Sequence, residues 1–174
     1  MKRLISAAFV AATLATPAWA DFNSGVAAYA RGDFETAAQQ FIPLAETAND
    51  PFAQRFLGDM YAKGKGVDQD MAAAAKWYKA AAEKGVASAQ CELGLLYRDG
   101  NGVPKDLENS FAWLSVANKL GSSKAPAALS SLDGKLSAEE MASAQKLAEE
   151  YIQKYGTPPK AQPDGTTEPI KVNN

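Results

Sequence analysis

A gapless repeat of 36 residues constrains this chain more than any other feature of its sequence. Twelve of the residues between positions 53 and 88 are identical to the residue 36 positions further on. A fixed period of this length is typical of stacked supersecondary units, each of which buries its apolar face against its neighbours. The sequence therefore predicts a stack of repeats over most of the chain.

Each repeat has the spacing of two helices joined by a glycine loop. In the first full repeat, apolar residues that include Leu57 and Tyr61 recur every four residues, which is the spacing of one helix face. The run Gly64-Lys65-Gly66-Val67 then breaks the helix, Asp70 begins the second helix and Gly85 ends it. We therefore predict an all-α fold, an α-solenoid of stacked antiparallel helix pairs.

A shorter unit precedes the two full repeats. Residues 22–48 contain Tyr29 and Phe41, which we interpret as the counterparts of Tyr61 and Trp77. The two offsets differ by four residues, and a deletion of four residues in the glycine loop accounts for the difference.

A final amphipathic helix is expected after the repeats. Ser137 and Glu140 have the spacing of a capping box at its start, and Gly156 stops it. We expect this C-terminal capping helix to cover the last exposed repeat surface, as the ends of a solenoid require. The predicted organisation is a solenoid over 21–156, with repeats at about 22–48, 53–88 and 89–124, a cap at 125–156 and a disordered Pro-rich tail at 157–174.

The N-terminus has the three parts of an export signal. Lys2 and Arg3 are basic, residues 4–14 are mostly apolar, and Ala18-Trp19-Ala20 is a small-x-small cleavage site. We predict a signal peptide over residues 1–20 that is cleaved after Ala20, and export to the periplasm of a Gram-negative cell. No later stretch is apolar and long enough to span a membrane.

Composition excludes several classes of site. The chain has no histidine and one cysteine, so Ser-His-Asp catalysis, His-ligated metals and an intrachain disulfide are excluded. Its formal net charge of -2 argues against a nucleic-acid partner, which needs a concentrated basic face. We expect no cofactor, no bound metal and no enzyme activity.

The motif Ala-Gln-x-x-Leu-Gly-x-x-Tyr-x-x-Gly-x-Gly-Val-x-x-Asp, followed by Trp and Ala, resembles the Sel1-like repeat, a relative of the tetratricopeptide repeat. It occurs at residues 53–85 and 89–121, and the resemblance covers about 22–130. The resemblance implies an exported bacterial α-solenoid that binds a protein or peptide on its concave face. It assigns structural roles to the signature residues Leu57, Gly58, Tyr61, Gly64, Gly66, Trp77, Leu93, Gly94, Tyr97, Gly100, Gly102 and Trp113.

By likeness to the tetratricopeptide repeat, first-helix residues beside the signature positions line the concave face. These candidates for protein binding are Arg55, Asp59, Lys63, Ser88, Cys91, Leu95 and Arg98, with Phe52, Asp99, Asn23 and Arg31 as further positions. The arginines are suited to carboxylates of a partner peptide, whereas the alternative is a solvated face with intrahelical pairs such as Arg55 with Asp59. We expect Arg55→Glu with Arg98→Glu to abolish binding without unfolding.

The function we predict is a periplasmic scaffold or adaptor that binds another cell-envelope protein or peptide. Within the same class, the alternative is a factor that assists assembly of surface polysaccharide or peptidoglycan machinery. A penicillin-recognising hydrolase is disfavoured, because the cysteine pairs of the cysteine-rich Sel1-like proteins are absent and Ser143-x-x-Lys146 has no companion motifs. The third alternative is a structural module that self-associates. For Cys91, burial is favoured over a reactive thiol.

Overall fold

The computed structural model describes residues 20–159, which form eight α-helices and no strand. The predicted signal peptide, apart from Ala20, and the tail beyond residue 159 lie outside the described residues. The helices are α1 (Phe22–Ala30), α2 (Phe34–Glu46), α3 (Pro51–Lys63), α4 (Met71–Ala82), α5 (Ala87–Asp99), α6 (Leu107–Lys119), α7 (Ala125–Ser130) and α8 (Ala138–Tyr155). The predicted all-α solenoid is confirmed.

Consecutive helices pack in pairs, and the pairs stack along the chain. The first helices of the units, α1, α3, α5 and α7, form what we call the first-helix row, and α2, α4 and α6 form the second-helix row. Helix α3 packs on α4, α5 packs on α6, and each pair also contacts the helix before it. The apolar core is therefore continuous, with clusters centred on residues such as Leu57, Leu93 and Leu114.

Aspartates begin the second helices and set the length of the loop before them. The Asp70 and Asp106 side chains cap α4 and α6 by accepting hydrogen bonds from backbone N–H groups of the first turn. The Asp70 backbone N–H also donates to the carbonyl of Tyr61 at 3.0 Å, and that of Asp106 donates to Tyr97 at 2.9 Å. The signature aspartate thus closes the glycine loop in each full repeat.

The signature glutamine ties each repeat to the one before it. Buried Gln54 donates from Nε2 to the carbonyl of Ala45 at the end of α2, at 3.2 Å. One repeat later, buried Gln90 donates to the carbonyl of Ala82 at the end of α4, at 3.0 Å. Because the last carbonyls of a helix have no partner within it, this contact both satisfies the helix end and fixes the stacking register.

The register predicted for the first unit is wrong by one residue. Asp33 caps α2 and donates to the carbonyl of Ala28, as Asp70 donates to Tyr61, so the counterpart of Tyr61 is Ala28 and not Tyr29. Likewise Phe41 packs on Gly25 as Tyr78 packs on Gly58, so Phe41 corresponds to Tyr78 and not to Trp77. The offset of each helix of the first unit from its counterpart increases by one residue. The difference between the two offsets, and so the inferred deletion of four loop residues, stays the same.

Helix α8 covers α6, the second helix of the last complete repeat, and reaches back toward the repeat before it. The predicted capping box is present, with the Ser137 side chain accepting from the backbone of Glu140 and the Glu140 side chain from that of Ser137. At the other end of α8, the carbonyl of Tyr155 accepts a hydrogen bond from Gln90 at 3.0 Å. Thr157, the first residue of the predicted tail, contacts Gly85 through its carbonyl.

Within residues 20–159, no helix is both long enough and apolar enough to cross a membrane.

Candidate protein-binding surface

The first-helix row carries a buried polar triad in the first full repeat. The Arg55 Nη2 atom lies 3.0 Å from Asp59 Oδ2, and the other oxygen, Oδ1, accepts a hydrogen bond of 2.6 Å from the Tyr78 hydroxyl. Arg55 and Asp59 are one helical turn apart on α3, while Tyr78 comes from α4. Asp59 is 6% exposed, so its charge depends on these two partners.

The Arg55 guanidinium is held on two sides. Asp59 binds one of its nitrogens, and the Arg55 Cζ atom lies 5.1 Å from the centre of the Phe56 ring. The Nε atom is buried without a hydrogen-bond partner among the described residues. The side chain nevertheless keeps 22% of its surface exposed, so part of Arg55 is accessible to solvent on the first-helix row.

The triad also keeps the Tyr78 hydroxyl protonated. Burial raises the pKa of Tyr78 far above its ordinary value, and the neighbouring Asp59 carboxylate raises this pKa further. A protonated hydroxyl can only donate to a carboxylate, so the Tyr78–Asp59 bond has one direction at any physiological pH.

Two further charged pairs extend this surface across α5 to α7. Lys124 Nζ lies 2.9 Å from Glu92 Oε1, which joins the start of α7 to α5. Arg98 Nε and Nη2 bind both carboxylate oxygens of Asp99 at 2.7 and 2.8 Å, and Nη1 donates to Ser131 Oγ at 3.0 Å. The hydrogen bonds from Arg98 lower the pKa of Asp99.

Glu92 and Lys124 were not among the residues predicted to form this surface. Tetratricopeptide likeness places the surface on first-helix positions and gives no weight to a residue outside a helix, such as Lys124. Glu92 directly follows the buried Cys91, and its position on the helix did not indicate that it belongs to the surface. The sequence does show an acidic residue on α5 and a basic residue before α7. Only the packing of these helices shows that the two residues form a pair.

The two full repeats differ at equivalent positions of this surface. The counterparts of Asp59 and Tyr78 are Leu95 and Leu114, so the second repeat has an apolar pair where the first has a hydrogen bond between a carboxylate and a hydroxyl. Leu95 is half-buried, against the cluster that contains Leu114. A partner on this row would therefore meet a charged region followed by an apolar one.

Several predicted binding residues are buried and offer little or no contact surface. Phe52 is 2% exposed and Cys91 is 1% exposed, because each side chain packs against a neighbouring helix. Asp59 is nearly as buried within its triad. The accessible candidates are the exposed Lys63, Asp99, Asn23 and Arg31 and the half-buried Arg55, Leu95 and Arg98. Ser88 is half-buried, but its hydroxyl is buried and has no hydrogen-bond partner among the described residues.

The burial of Cys91 predicts that its thiol reacts slowly. Burial raises the pKa of this cysteine, the only one in the chain, so little thiolate is present at neutral pH. We expect a disulfide reagent at pH 8 to label the folded protein at least about 100-fold more slowly than the protein in denaturant. Equal rates in both conditions would contradict the burial of Cys91 in the folded state.

The signature residues have the structural positions that the resemblance implies. Leu57, Gly58, Leu93, Gly94 and Trp113 are buried, and the loop glycines Gly64, Gly66, Gly100 and Gly102 have positive φ. Tyr61, Tyr97 and Trp77 are half-buried and pack against the core clusters. A residue that recurs with the structural period in this way serves the stacking of helices.

Ser143 is exposed on α8, and its hydroxyl donates to Glu108 Oε2 at 2.5 Å. No group of His, Cys, Asp or Glu side chains within residues 20–159 could hold a metal ion. What the arrangement on the first-helix row can do is present oriented charges next to an apolar patch, which suits the binding of a peptide or helix.

The sequence pattern of the Sel1 repeat matches residues 51–86 and 87–122 of this chain. Each match begins with a first helix, two residues before the predicted repeat boundaries of 53 and 89. Among curated proteins, none matches this chain.

Two solved structures are similar to this chain. A protective antigen present in uropathogenic Escherichia coli strains, which displays an SLR fold, is 30% identical, with a TM-score of 0.73 over 77% of this chain. A Sel1 repeat protein from Oxalobacter formigenes is 29% identical, with a TM-score of 0.61 over 75% of this chain. The aligned region spans 29% of the first of these proteins and 56% of the second.

Proposed function

We propose that this chain, which contains two Sel1 repeats, is a non-catalytic adaptor, because such repeats are typically protein-interaction scaffolds. Its partner is a peptide or helix of another cell-envelope protein, bound on the first-helix row. The accessible binding residues are Arg55, Lys63, Leu95 and Arg98, and the partner carries acidic side chains toward Arg55 and Lys63 and an apolar one toward Leu95.

The observation that carries this proposal is the fixed guanidinium of Arg55. A free arginine loses side-chain entropy when a partner orders it, whereas Arg55 is already held by Asp59 and Phe56. A partner carboxylate that binds the accessible part of Arg55 would therefore do so at a smaller entropic cost. Arg98, held by Asp99 and Ser131, is positioned in the same way one repeat along.

The location of the adaptor follows from the predicted signal peptide. Lys2 and Arg3, the apolar stretch that follows them and the cleavage site at Ala20 support export, and we propose the periplasm as the compartment. The partner is then another protein of the cell envelope.

A charge reversal on the first-helix row tests this function. The purified protein and its Lys63→Glu variant are used to capture partners from an envelope extract, and bound proteins are identified by mass spectrometry. Because Lys63 is exposed on the row, we expect Lys63→Glu to lower recovery of an acidic partner by about tenfold while the fold is retained.

Lys119→Glu is the matched control. Both lysines are exposed and lie in the last turn of a 13-residue helix, so the unfavourable interaction with the helix dipole is the same in the two variants. Lys119 belongs to α6 of the second-helix row, so its variant should capture the partner as the unaltered protein does. Equal recovery by all three proteins, or equal loss in both variants, would contradict binding on the first-helix row.

A further inference from the structure

Helix α8 docks in a groove of the second-helix side through two aromatic residues. Tyr151 and Tyr155 are four residues apart on α8, and their ring centres lie 4.8 and 5.1 Å from that of Trp113 on α6. The Tyr151 hydroxyl also donates to Asn109 Oδ1 at 2.8 Å. Both tyrosines also pack against the apolar cluster that contains Ala81 and Ala82 of α4, and Tyr155 interacts electrostatically with Lys79 of the same helix, so the groove is bounded by α4 and α6.

The repeat generates a second groove of the same kind between α2 and α4. The counterparts of Trp113, Asn109 and Lys79 are Trp77, Ala73 and Ile42, and the neighbouring Tyr97 corresponds to Tyr61. We call these four residues, Ile42, Tyr61, Ala73 and Trp77, the Trp77 groove. All four are half-buried. Ala73 stands where the first groove has the amide of Asn109, and Ile42 stands where it has the ammonium of Lys79, so the Trp77 groove is more apolar.

No helix of residues 20–159 fills the Trp77 groove as α8 fills its counterpart. The Trp77 ring has no ring-to-ring contact among the described residues, and only the Lys76 ammonium lies over it, at 5.6 Å from its centre. Trp113 is 2% exposed under α8, whereas Trp77 remains half-buried. The same stacking position is thus covered in one repeat and partly exposed in the other.

We propose that the Trp77 groove binds an amphipathic helix of another protein that presents two aromatic residues four positions apart. The docked α8 shows, on the equivalent surface of this molecule, that such a helix places both rings against the tryptophan. The occupant of the Trp77 groove is more apolar than α8 at the counterpart of Asn109, because Ala73 offers no hydrogen bond to a tyrosine hydroxyl. This surface lies on the second-helix side and is independent of the first-helix row.

A peptide with the α8 sequence, residues 138–155, is a direct probe of this groove. A fluorescein-labelled peptide is titrated with the purified protein, and binding is followed by fluorescence anisotropy. We expect Trp77→Ala and Ala73→Glu each to weaken binding by at least about tenfold. The first variant removes an aromatic anchor, and the second places a charge where the peptide would bury it. The Lys63→Glu variant, altered on the first-helix row, should bind the peptide unchanged.

A second peptide, with both tyrosines replaced by alanine, separates aromatic docking from general attraction. We expect it not to bind. Unchanged binding of the original peptide to Ala73→Glu would mean that it exchanges with the protein's own α8 on Trp113, and this would overturn the proposal. So would the absence of binding to the unaltered protein, or equal binding of the two peptides. Thermal unfolding of each variant shows that the variants tested are folded.

Discussion

Replacing Gly102 by alanine should destabilise the protein by about 3 kcal/mol or more. Gly102 has a φ of +72°, and a Cβ added there would lie 2.0 Å from the carbonyl oxygen of Met71 in the preceding repeat. The contact is with backbone, so it cannot be relieved by rotation of a side chain, and the two repeats must separate. Urea unfolding followed by circular dichroism measures the change in the free energy of unfolding.

Gly121→Ala is the matched control for this prediction. Gly121 has a φ of +83°, and nothing lies within 4 Å of the added Cβ, so only backbone strain is introduced. We expect a loss of about 1 kcal/mol. The difference between the two variants isolates the contact between repeats, and equal losses would show that Gly102 does not hold the stack together.

The second large effect is expected for Arg55→Glu. Asp59 is buried, and Arg55 is the only cation that pairs with it within the described residues. A glutamate in its place removes the compensating charge and adds a second negative one, so we expect a loss of about 2 kcal/mol or more in the free energy of unfolding. The sequence-based expectation that Arg55→Glu with Arg98→Glu abolishes binding without unfolding stays a prediction, and the burial of Asp59 adds to it an expected loss of stability.

Asp59→Leu combined with Tyr78→Leu tests the same triad by a different route. This double variant copies the Leu95 and Leu114 pair of the second repeat, so no hydroxyl or carboxylate is left unpaired behind Arg55. We expect its free energy of unfolding, measured in urea, to differ from that of the unaltered protein by less than about 1 kcal/mol. Asp59→Leu alone should be destabilised by more than this. If Arg55→Glu unfolds at the same urea concentration as the unaltered protein, the triad has no structural role.

The repeat and its helices could be predicted because their causes are local and periodic. An aspartate caps each second helix, and a glycine pair forces the turn before it, so the residues themselves mark the boundaries at Asp70 and Asp106. The final helix was predictable for the same reason, since Ser137 and Glu140 form its capping box. The structural role of the recurring aromatic residues followed from their period.

The parts that could not be predicted depend on contacts between distant segments. The first unit lacks four loop residues, and matching aromatic residues by type gave a register that the hydrogen bond from Asp33 to Ala28 corrects. The return of α8 toward Gln90 involves residues 65 positions apart. Amphipathicity shows which face of a helix is buried but not which neighbour covers it.

The composition of the candidate surface was predicted only in part. Spacing on α3 and α5 placed Arg55, Lys63, Leu95 and Arg98 on accessible positions, but the same spacing included Cys91, which is buried. A helical position fixes direction to within about a quarter of a turn, and the packing of the neighbouring helix decides which border residue remains exposed.

Photocrosslinking in the native cells tests most directly the claim that the first-helix row binds a partner. A photoreactive amino acid is placed at Lys63 on that row, at Lys76 beside the Trp77 groove, or at Gln145 on the solvent side of α8, all of which are exposed. We predict a discrete adduct with another envelope protein from position 63 and none from position 145, with position 76 reporting separately on the Trp77 groove. The absence of an adduct from position 63, or the same adduct from position 145, would contradict the proposed function.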